Sequence, residues 1–110
     1  PLLLMWSYYQ QGKISLEKIV DKMAHAVADI FQIRERGYIR EGYWADLVIV
    51  DPSATTRVEK ANLLYKCGWS PLEGTTFPAA ITHTFVNGHL AYGNGRILAS
   101  QSGQRLQFER

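Results

Sequence analysis

Hydrophobic residues recur at helical spacing between residues 15 and 31, which is the strongest periodic signal in the chain. Ser15 is suited to an N-cap, and Glu17 would lie at the positive end of the helix dipole. Charged residues occupy the opposite face, and Gly37 ends the region. The pattern predicts a surface helix with one packed apolar stripe, formed by Leu16, Ile19, Val20, Met23, Val27, Ile30 and Phe31.

The first thirteen residues also favour a helix, because Pro1 suits a first helical turn and Gly12 provides a stop. Apolar side chains cover almost the whole surface of this segment. A helix of this kind should be buried against a larger structure. We therefore expect that further polypeptide precedes Pro1 and that the sequence is a fragment or a processed chain.

After Gly37 the pattern changes to short runs of β-branched and aromatic residues between turn signals. We predict two short strands, at 38–39 and 47–50, a brief polar strand around Arg57-Val58, and an irregular loop over 61–79. Residues 81–99 favour a hairpin around Asn87-Gly88, a dipeptide suited to a type I′ turn. A second turn at Gly93-Asn94-Gly95 leads into 96–98. The polar residues 100–110 are expected to fray.

Composition limits the classes of protein that fit. The chain has 110 residues, 46% of them hydrophobic and 20% charged, which is the range of one globular domain or of pieces of two. It is too short for a complete barrel enzyme of about 250 residues. The net charge of +2 is scattered, so the chain is expected to bind neither nucleic acid nor a membrane surface. We expect neither a bilayer-spanning segment nor a signal peptide, because the longest apolar stretch is too short to span a bilayer and lacks a basic leader.

The three histidines, His25, His83 and His89, are the first candidates for a metal site. If Asn87 and Gly88 are the turn residues, His83 shares a face with Phe85, Leu90 and Tyr92, whereas His89 lies with Thr82, Thr84, Val86 and Ala91. The two imidazoles then point to opposite sides, which disfavours a shared metal ion within one chain. His25 lacks the partner spacing of a zinc-protease helix and is interpreted as a structural or surface residue.

Other residue types with chemical potential also favour structural roles. The single cysteine, Cys67, excludes an internal disulfide and fits a reducing cytosol. No base adjacent in sequence marks it as a nucleophile, and we expect it to be buried, which is the commoner state of a free cysteine. Asp46 and Asp51 fall on opposite faces of a strand, so turn hydrogen bonds are favoured over a cooperating carboxylate pair. Trp6, Trp44 and Trp69 are expected to pack in a core or an interface. No residue is therefore assigned as catalytic, cofactor-binding or metal-binding.

Two stretches of the sequence resemble the C-terminal part of amidohydrolase-superfamily enzymes. GYIREGYWADLVIVDP, at 37–52, resembles a strand pair of the superfamily in general. KCGWSPLEGTTFPAAITHTFVNGHLAYGNGRI, at 66–97, is more specific, and its Trp-Ser-Pro-Leu-Glu-Gly and Thr-His-Thr-Phe-Val-Asn-Gly segments are similar to the tail of dihydroorotases. The helix ending in MAHAVADIFQI looks like the last barrel helix of the family, although Val27 stands where proline is usual.

The resemblance implies an α+β fragment of a larger enzyme. Residues 1–36 would be the closing helices of a (β/α)8 barrel, 37–99 the C-terminal strands of a small β-sandwich with an irregular loop, and 100–110 a polar tail. The partners would be the missing N-terminal barrel and sandwich strands. Without them, the exposed strand edges and apolar helix predict self-association.

In function, the resemblance implies a cytoplasmic, zinc-dependent dihydroorotase that interconverts N-carbamoyl-aspartate and dihydroorotate in pyrimidine biosynthesis. The family's metal ligands, catalytic aspartate and substrate-recognition residues lie upstream of the segment seen here. The fragment alone is therefore predicted to bind no zinc and to be inactive. The alternatives are the tail of a related cyclic amidohydrolase, either a hydantoinase or an allantoinase, and a non-catalytic β-rich interaction module.

Overall fold

The computed structural model describes residues 1–98 and 101–110, and it is an α+β arrangement of a helical part followed by a small antiparallel sheet. Helix α1 spans Leu2–Gln10, and Gly12 follows it with a φ of +75°. The predicted long helix is present as three continuous segments: α2 (Leu16–Val20), a π-helical turn (Asp21–His25) and α3 (Ala26–Phe31). Ser15 caps α2 as predicted, because its hydroxyl accepts a hydrogen bond from the backbone N–H of Lys18.

Within the described ranges, six short strands follow: β1 (Leu47–Asp51), β2 (Thr56–Arg57), β3 (Thr76–Phe77), β4 (Ala80–Val86), β5 (His89–Gly93) and β6 (Arg96–Ile97). A 3-10 turn, Lys60–Asn62, lies between β2 and β3. Four strands form one antiparallel sheet in the order β1-β4-β5-β6, and β2 pairs with β3 separately. The four-stranded sheet therefore has β1 and β6 at its edges.

The hairpin between β4 and β5 is confirmed, with a correction to its register. Asn87 and Gly88 have φ values of 53° and 83°, as a type I′ turn requires. Val86 pairs with His89 and Phe85 with Leu90 as predicted, but an irregularity between Thr84 and Phe85 places Thr84 opposite Tyr92. The predicted pairing of His83 with Tyr92 is therefore wrong, because a bulge adds one residue to β5. Asn94 and Gly95 form the second turn.

Three other predictions of local structure are wrong. Residues 38–39 form no strand, because side-chain contacts hold Tyr38 against the helix instead of a neighbouring strand. The predicted loop 61–79 contains the 3-10 turn and β3, since two backbone hydrogen bonds between Val58 and residues 74–75 extend the β2–β3 pair. The residues 101–110 are exposed but do not fray, because several of them are hydrogen-bonded to the body of the chain. The predicted boundary at 99/100 lies outside the described residues.

Few side chains of the described residues are fully buried. The buried apolar residues are Ile19, Ala28, Phe77 and Ala79. The predicted helix stripe forms, but most of it is not packed: Val20, Met23, Val27, Ile30 and Phe31 are exposed. The radius of gyration is 15.3 Å, whereas a compact domain of this length has about 13 Å. None of the described helices has the length and apolarity needed to cross a bilayer.

Candidate functional site

The histidines lie in separate surroundings. His25 donates from Nδ1 to the carbonyl of Gly37 at 2.6 Å and stacks on the ring of Tyr38, with 4.1 Å between ring centroids. His83 Nδ1 lies 2.9 Å from the hydroxyl of Thr82, and His89 Nε2 donates to the carbonyl of residue 101 at 3.2 Å. Among the described residues, no three His, Cys, Asp or Glu side chains come together as a metal site. The three imidazoles instead make separate local contacts.

The tyrosine beside His25 belongs to a small polar cluster at the end of the helix. The hydroxyl of Tyr38 donates to both carboxylate oxygens of Asp29, at 3.0 and 2.8 Å. This hydrogen bond raises the pKa of Tyr38 above its usual value of 10.0. The guanidinium of Arg40 lies 4.2 Å from the centroid of the Tyr38 ring. The cluster thus fixes the loop after Gly37 to the helix.

Cys67, Trp44 and Trp69 are more exposed than the sequence predicts. Cys67 is exposed, and its thiol lies 3.6 Å from the carbonyl of Trp69, so the expectation of a buried cysteine is wrong. Trp44 and Trp69 are also exposed, which excludes core packing within this chain and leaves interface packing open. Trp6 is half-buried and packs edge-on against Tyr9. These exposed side chains lie in loops that the chain itself does not cover.

Both candidate aspartates accept hydrogen bonds in turns or loops, as predicted, but only the bonds of Asp51 are local in sequence. Asp51 accepts from the N–H and the hydroxyl of Ser53, at 2.9 and 2.7 Å, and these bonds lower the pKa of Asp51. Asp46 accepts from the backbone N–H of Asn87 at 2.8 Å and forms an ion pair with Arg36. The two carboxylates thus have separate partners and do not form an acid–base pair.

Sequence analysis missed Arg36, which is the most deeply buried charged residue among those described, with 9% of its surface exposed. Besides its ion pair with Asp46, its guanidinium lies 5.4 Å from the centroid of the Trp44 ring and 3.5 Å from the carbonyl of Gln104. We name these four residues with Asn87 the Arg36 junction. It joins the loop after the helix, the start of β1, the β4–β5 turn and the C-terminal residues. No pattern in the sequence distinguishes Arg36 from the exposed arginines around it.

An open groove of about 400 Å³ lies beside this junction at the end of α3. Its charged side chains come in equal numbers of each sign, so the groove has no net charge toward a ligand. They are Asp29, Glu35 and Glu109, and Arg34, Arg36 and Arg40. Several are already engaged: Arg34 pairs with Glu109, and Arg36 with Asp46. The arrangement stabilises the local structure and offers no nucleophile with an adjacent base.

The exposed apolar surface is more distinctive than the charged groove. The apolar stripe, defined as Val20, Met23, Val27, Ile30 and Phe31, runs along α2–α3 and is exposed throughout. An apolar-lined groove of about 670 Å³ lies over the sheet, between Leu3, Leu64, Ile81, Tyr92 and Ile97. We name it the sheet groove. In addition, three consecutive residues of the edge strand β1, 47–49, are exposed and apolar.

The total accessible surface shows how much of the chain is uncovered. The chain exposes 8117 Å², whereas a folded monomer of 12.5 kDa exposes about 6,200 Å² by the usual scaling with mass. The excess of about 1,900 Å² is more than twice the roughly 800 Å² that each partner buries in a standard protein interface. The stripe, the sheet groove and the edge of β1 are apolar parts of this uncovered surface.

The chain is similar to three kinds of ring-amide hydrolase. No protein-family model matches it. It is 32% identical over 104 residues to an allantoinase of Desulfitobacterium hafniense, and 35% identical over 101 residues to a dihydroorotase of Halobacterium salinarum. These alignments cover 94% and 90% of this chain and 23% of each relative. The chain thus spans about a quarter of the length of the curated relatives it matches.

A solved structure agrees with the sequence comparisons. The L-hydantoinase (dihydropyrimidinase) of Arthrobacter aurescens contains a segment that superposes on this chain with a TM-score of 0.84 and 29% identity. The superposition covers 96% of this chain and 24% of the hydantoinase. The helices, the sheet and their relative placement therefore recur within a longer protein.

Proposed function

We propose, on the premise that this chain is homologous to one segment of the cyclic amidohydrolases, that it is the C-terminal scaffold of such an enzyme. The observation that carries the proposal is the similarity of 90–96% of the chain to about a quarter of a dihydroorotase, an allantoinase and a hydantoinase. The parent enzyme would hydrolyse the C–N bond of a cyclic amide. The chain's own contribution would be structural.

The uncovered surface supports a scaffold role. An excess of about 1,900 Å² is the area expected when a unit has been separated from the structure on which it packs. Under the proposal, the apolar stripe lies against the remainder of a (β/α)8 barrel. The sheet groove and the edge of β1 take the other strands of a small β-sandwich, since an exposed edge strand is completed by adding a neighbour.

Within the cyclic amidohydrolases, we favour a dihydroorotase that acts in pyrimidine biosynthesis. Its support is the loop Trp69–Gly74 with the following Thr82–Gly88 strand and turn, which are similar to the dihydroorotase tail, together with 35% identity to the Halobacterium salinarum dihydroorotase. An allantoinase is the second candidate, because the Desulfitobacterium hafniense allantoinase is 32% identical over a slightly longer alignment. A hydantoinase has the support of the structural superposition.

The residues that the structure describes contain no donor set for the zinc that such an enzyme would use. The histidines are engaged separately, and the candidate aspartates Asp51 and Asp46 are held by Ser53 and by the Arg36 junction. We therefore derive no catalytic step through a metal from these residues. Under the proposal, zinc is held by other residues of the parent, and the 110-residue chain by itself neither binds it nor turns over substrate.

The substrate class is tested with the protein translated from the whole reading frame that contains these residues. Purified protein loaded with zinc is assayed for ring opening of dihydroorotate, allantoin and a 5-substituted hydantoin. We expect dihydroorotate to be hydrolysed with the highest kcat/KM. Preference for allantoin or hydantoin would replace dihydroorotase by that alternative. Failure to open any of the three rings would overturn the proposed function.

A matched assay uses the 110-residue chain alone with the same zinc and substrates. We expect no turnover above that of zinc in buffer. Ring opening by the isolated chain would contradict the scaffold role, because it would place the reacting groups within these residues.

A further inference from the structure

The C-terminal residues 101–109, which we name the strap, are bound at two points to residues 1–98, which we name the body. At the far end, the N–H of Arg34 donates to the carbonyl of Gln107 and the N–H of Glu109 donates to the carbonyl of Gln32, each at 2.9 Å. The two residues between these bonds lie opposite each other as an isolated antiparallel bridge. This is the pairing of one extended peptide with a single exposed backbone segment.

The other attachment is made by side chains of the body. The side-chain oxygen of Asn87 accepts from the N–H of Gln104 at 3.0 Å, and the guanidinium of Arg36 lies 3.5 Å from the carbonyl of the same residue. His89 Nε2 donates to the carbonyl of Gln101 at 3.2 Å. Both backbone groups of Gln104 are thus taken up by the body. These contacts recognise a backbone, not a particular side-chain sequence.

The body segment that receives the strap has an unusual backbone. Gln32 ends α3 in the left-handed conformation, with φ of 55°, although helices usually end with glycine in this region. Its carbonyl is one of those left without a partner inside a helix, and the N–H of Glu109 satisfies it. The strap therefore completes the end of the helix, while its other end donates the N–H of Gln104 to the side-chain oxygen of Asn87 in the β4–β5 turn.

We propose that the body presents a binding groove for an extended peptide, running from the β4–β5 turn to the end of α3, and that the chain's own strap occupies it. The groove binds backbone N–H and carbonyl groups of the peptide through residues 32–34, Arg36 and Asn87. The strap bridges the helical part and the sheet and fixes their relative orientation. This inference stands on the contacts of the described residues and is independent of the proposed function.

The first test compares two substitutions of one strap residue in the full chain. Glu109→Pro removes the N–H that donates to Gln32, whereas Glu109→Ala keeps this N–H and removes the same carboxylate. The measurement is amide hydrogen exchange at Arg34, whose N–H donates to the strap. We expect Arg34 to exchange about ten times faster in Glu109→Pro than in Glu109→Ala, with exchange in β4 unchanged.

Two results of this test would overturn the proposal. Equal exchange at Arg34 in the two variants would show that the strap does not protect this segment. Loss of protection in β4 as well as at Arg34 would show that residues 101–109 are an inseparable part of one folded unit and not a peptide bound in a groove.

The second test supplies the strap as a separate molecule. A fluorescent peptide with the sequence of residues 101–110 is added to the chain ended after residue 100, and anisotropy is measured. We expect saturable binding that weakens at least tenfold when the peptide carries Gln104→Pro, which removes the N–H bonded to Asn87. Equal affinity of the two peptides, or no binding to a shortened chain that circular dichroism shows to be folded, would contradict the proposal. If the shortened chain is unfolded, the exchange comparison decides.

Discussion

Of the chain's glycines, Gly37 leaves the least space for an added Cβ, and replacing it provides a sharp test of how the loop docks on the helix. Its φ is +82°, a conformation that side chains rarely adopt. A Cβ added there would overlap the Cβ of Ala28 and lie 2.9 Å from the carbonyl oxygen of Ala24. Since both neighbours belong to the helix itself, they cannot move aside without distorting it.

The expected cost of Gly37→Ala has two parts. The left-handed backbone costs about 1–2 kcal/mol for a residue with a Cβ, and overpacking against the helix costs about 1–3 kcal/mol. We therefore expect the free energy of unfolding to fall by about 3 kcal/mol. Gly42→Ala is the matched control, because its φ is +84° but nothing lies within 4 Å of its added Cβ. It should lose only the backbone cost of about 1–2 kcal/mol.

The assay is urea unfolding followed by tryptophan fluorescence for both variants and for Ala28→Gly combined with Gly37→Ala. The midpoint of Gly37→Ala should lie about 1 M below that of Gly42→Ala, because the extra loss of about 1–3 kcal/mol is divided by a urea slope of about 1–3 kcal/mol per M. Ala28→Gly should restore part of the loss, since it removes the overlapping methyl group. Equal losses in the two single variants, with no rescue, would refute the close docking of this loop on the helix.

Three further outcomes follow from the structure. Asp46→Asn leaves the buried Arg36 guanidinium without its counter-charge and should lower the free energy of unfolding in urea by about 2–3 kcal/mol. The control Glu59→Gln breaks an ion pair that is exposed on both sides and should lower it by less than about 1 kcal/mol. Equal losses would contradict the burial of the junction. Asp29→Asn should return the pKa of Tyr38 toward 10.0 in an absorbance titration at 295 nm. Because the folded pKa is raised, the stability from this bond is present below pH 10.0 and is lost as pH rises through the folded pKa; an unchanged titration would exclude the bond. The 110-residue chain alone should associate with itself through its uncovered apolar surfaces. A stable monomer at micromolar concentration in light scattering would count against the proposal that these surfaces bind a partner.

The elements with strong local signals could be predicted from the sequence. The helix over 16–31 has apolar residues at regular spacing and a serine at its N-cap, and the hairpin has Asn-Gly at its turn. The burial of the helix stripe could not be predicted correctly, because periodicity shows which face is apolar but not whether its partner belongs to the same chain. Whether the stripe is buried depends on what packs against the helix.

The features that were missed depend on contacts that the residue pattern of one segment does not show. The bulge in β5 changes the partner of Tyr92 without any signal in the alternation of residues. Arg36 is buried by an aspartate ten residues away and by Gln104, which is 68 residues away. The polar composition of 101–109 predicts exposure, which is correct, but the bonds that hold these residues come from backbone groups, and no residue type reports them.

The most direct test of the proposed scaffold role is hydroxyl-radical footprinting of Met23, which belongs to the apolar stripe. Modification is compared at nanomolar concentration between the 110-residue chain and the protein translated from the whole reading frame. Met23 is 42% exposed in this chain, and we predict that its modification is at least about ten times slower in the whole protein, where the stripe is covered. Equal rates in the two proteins would contradict the proposal that this chain is a scaffold packed within a larger enzyme.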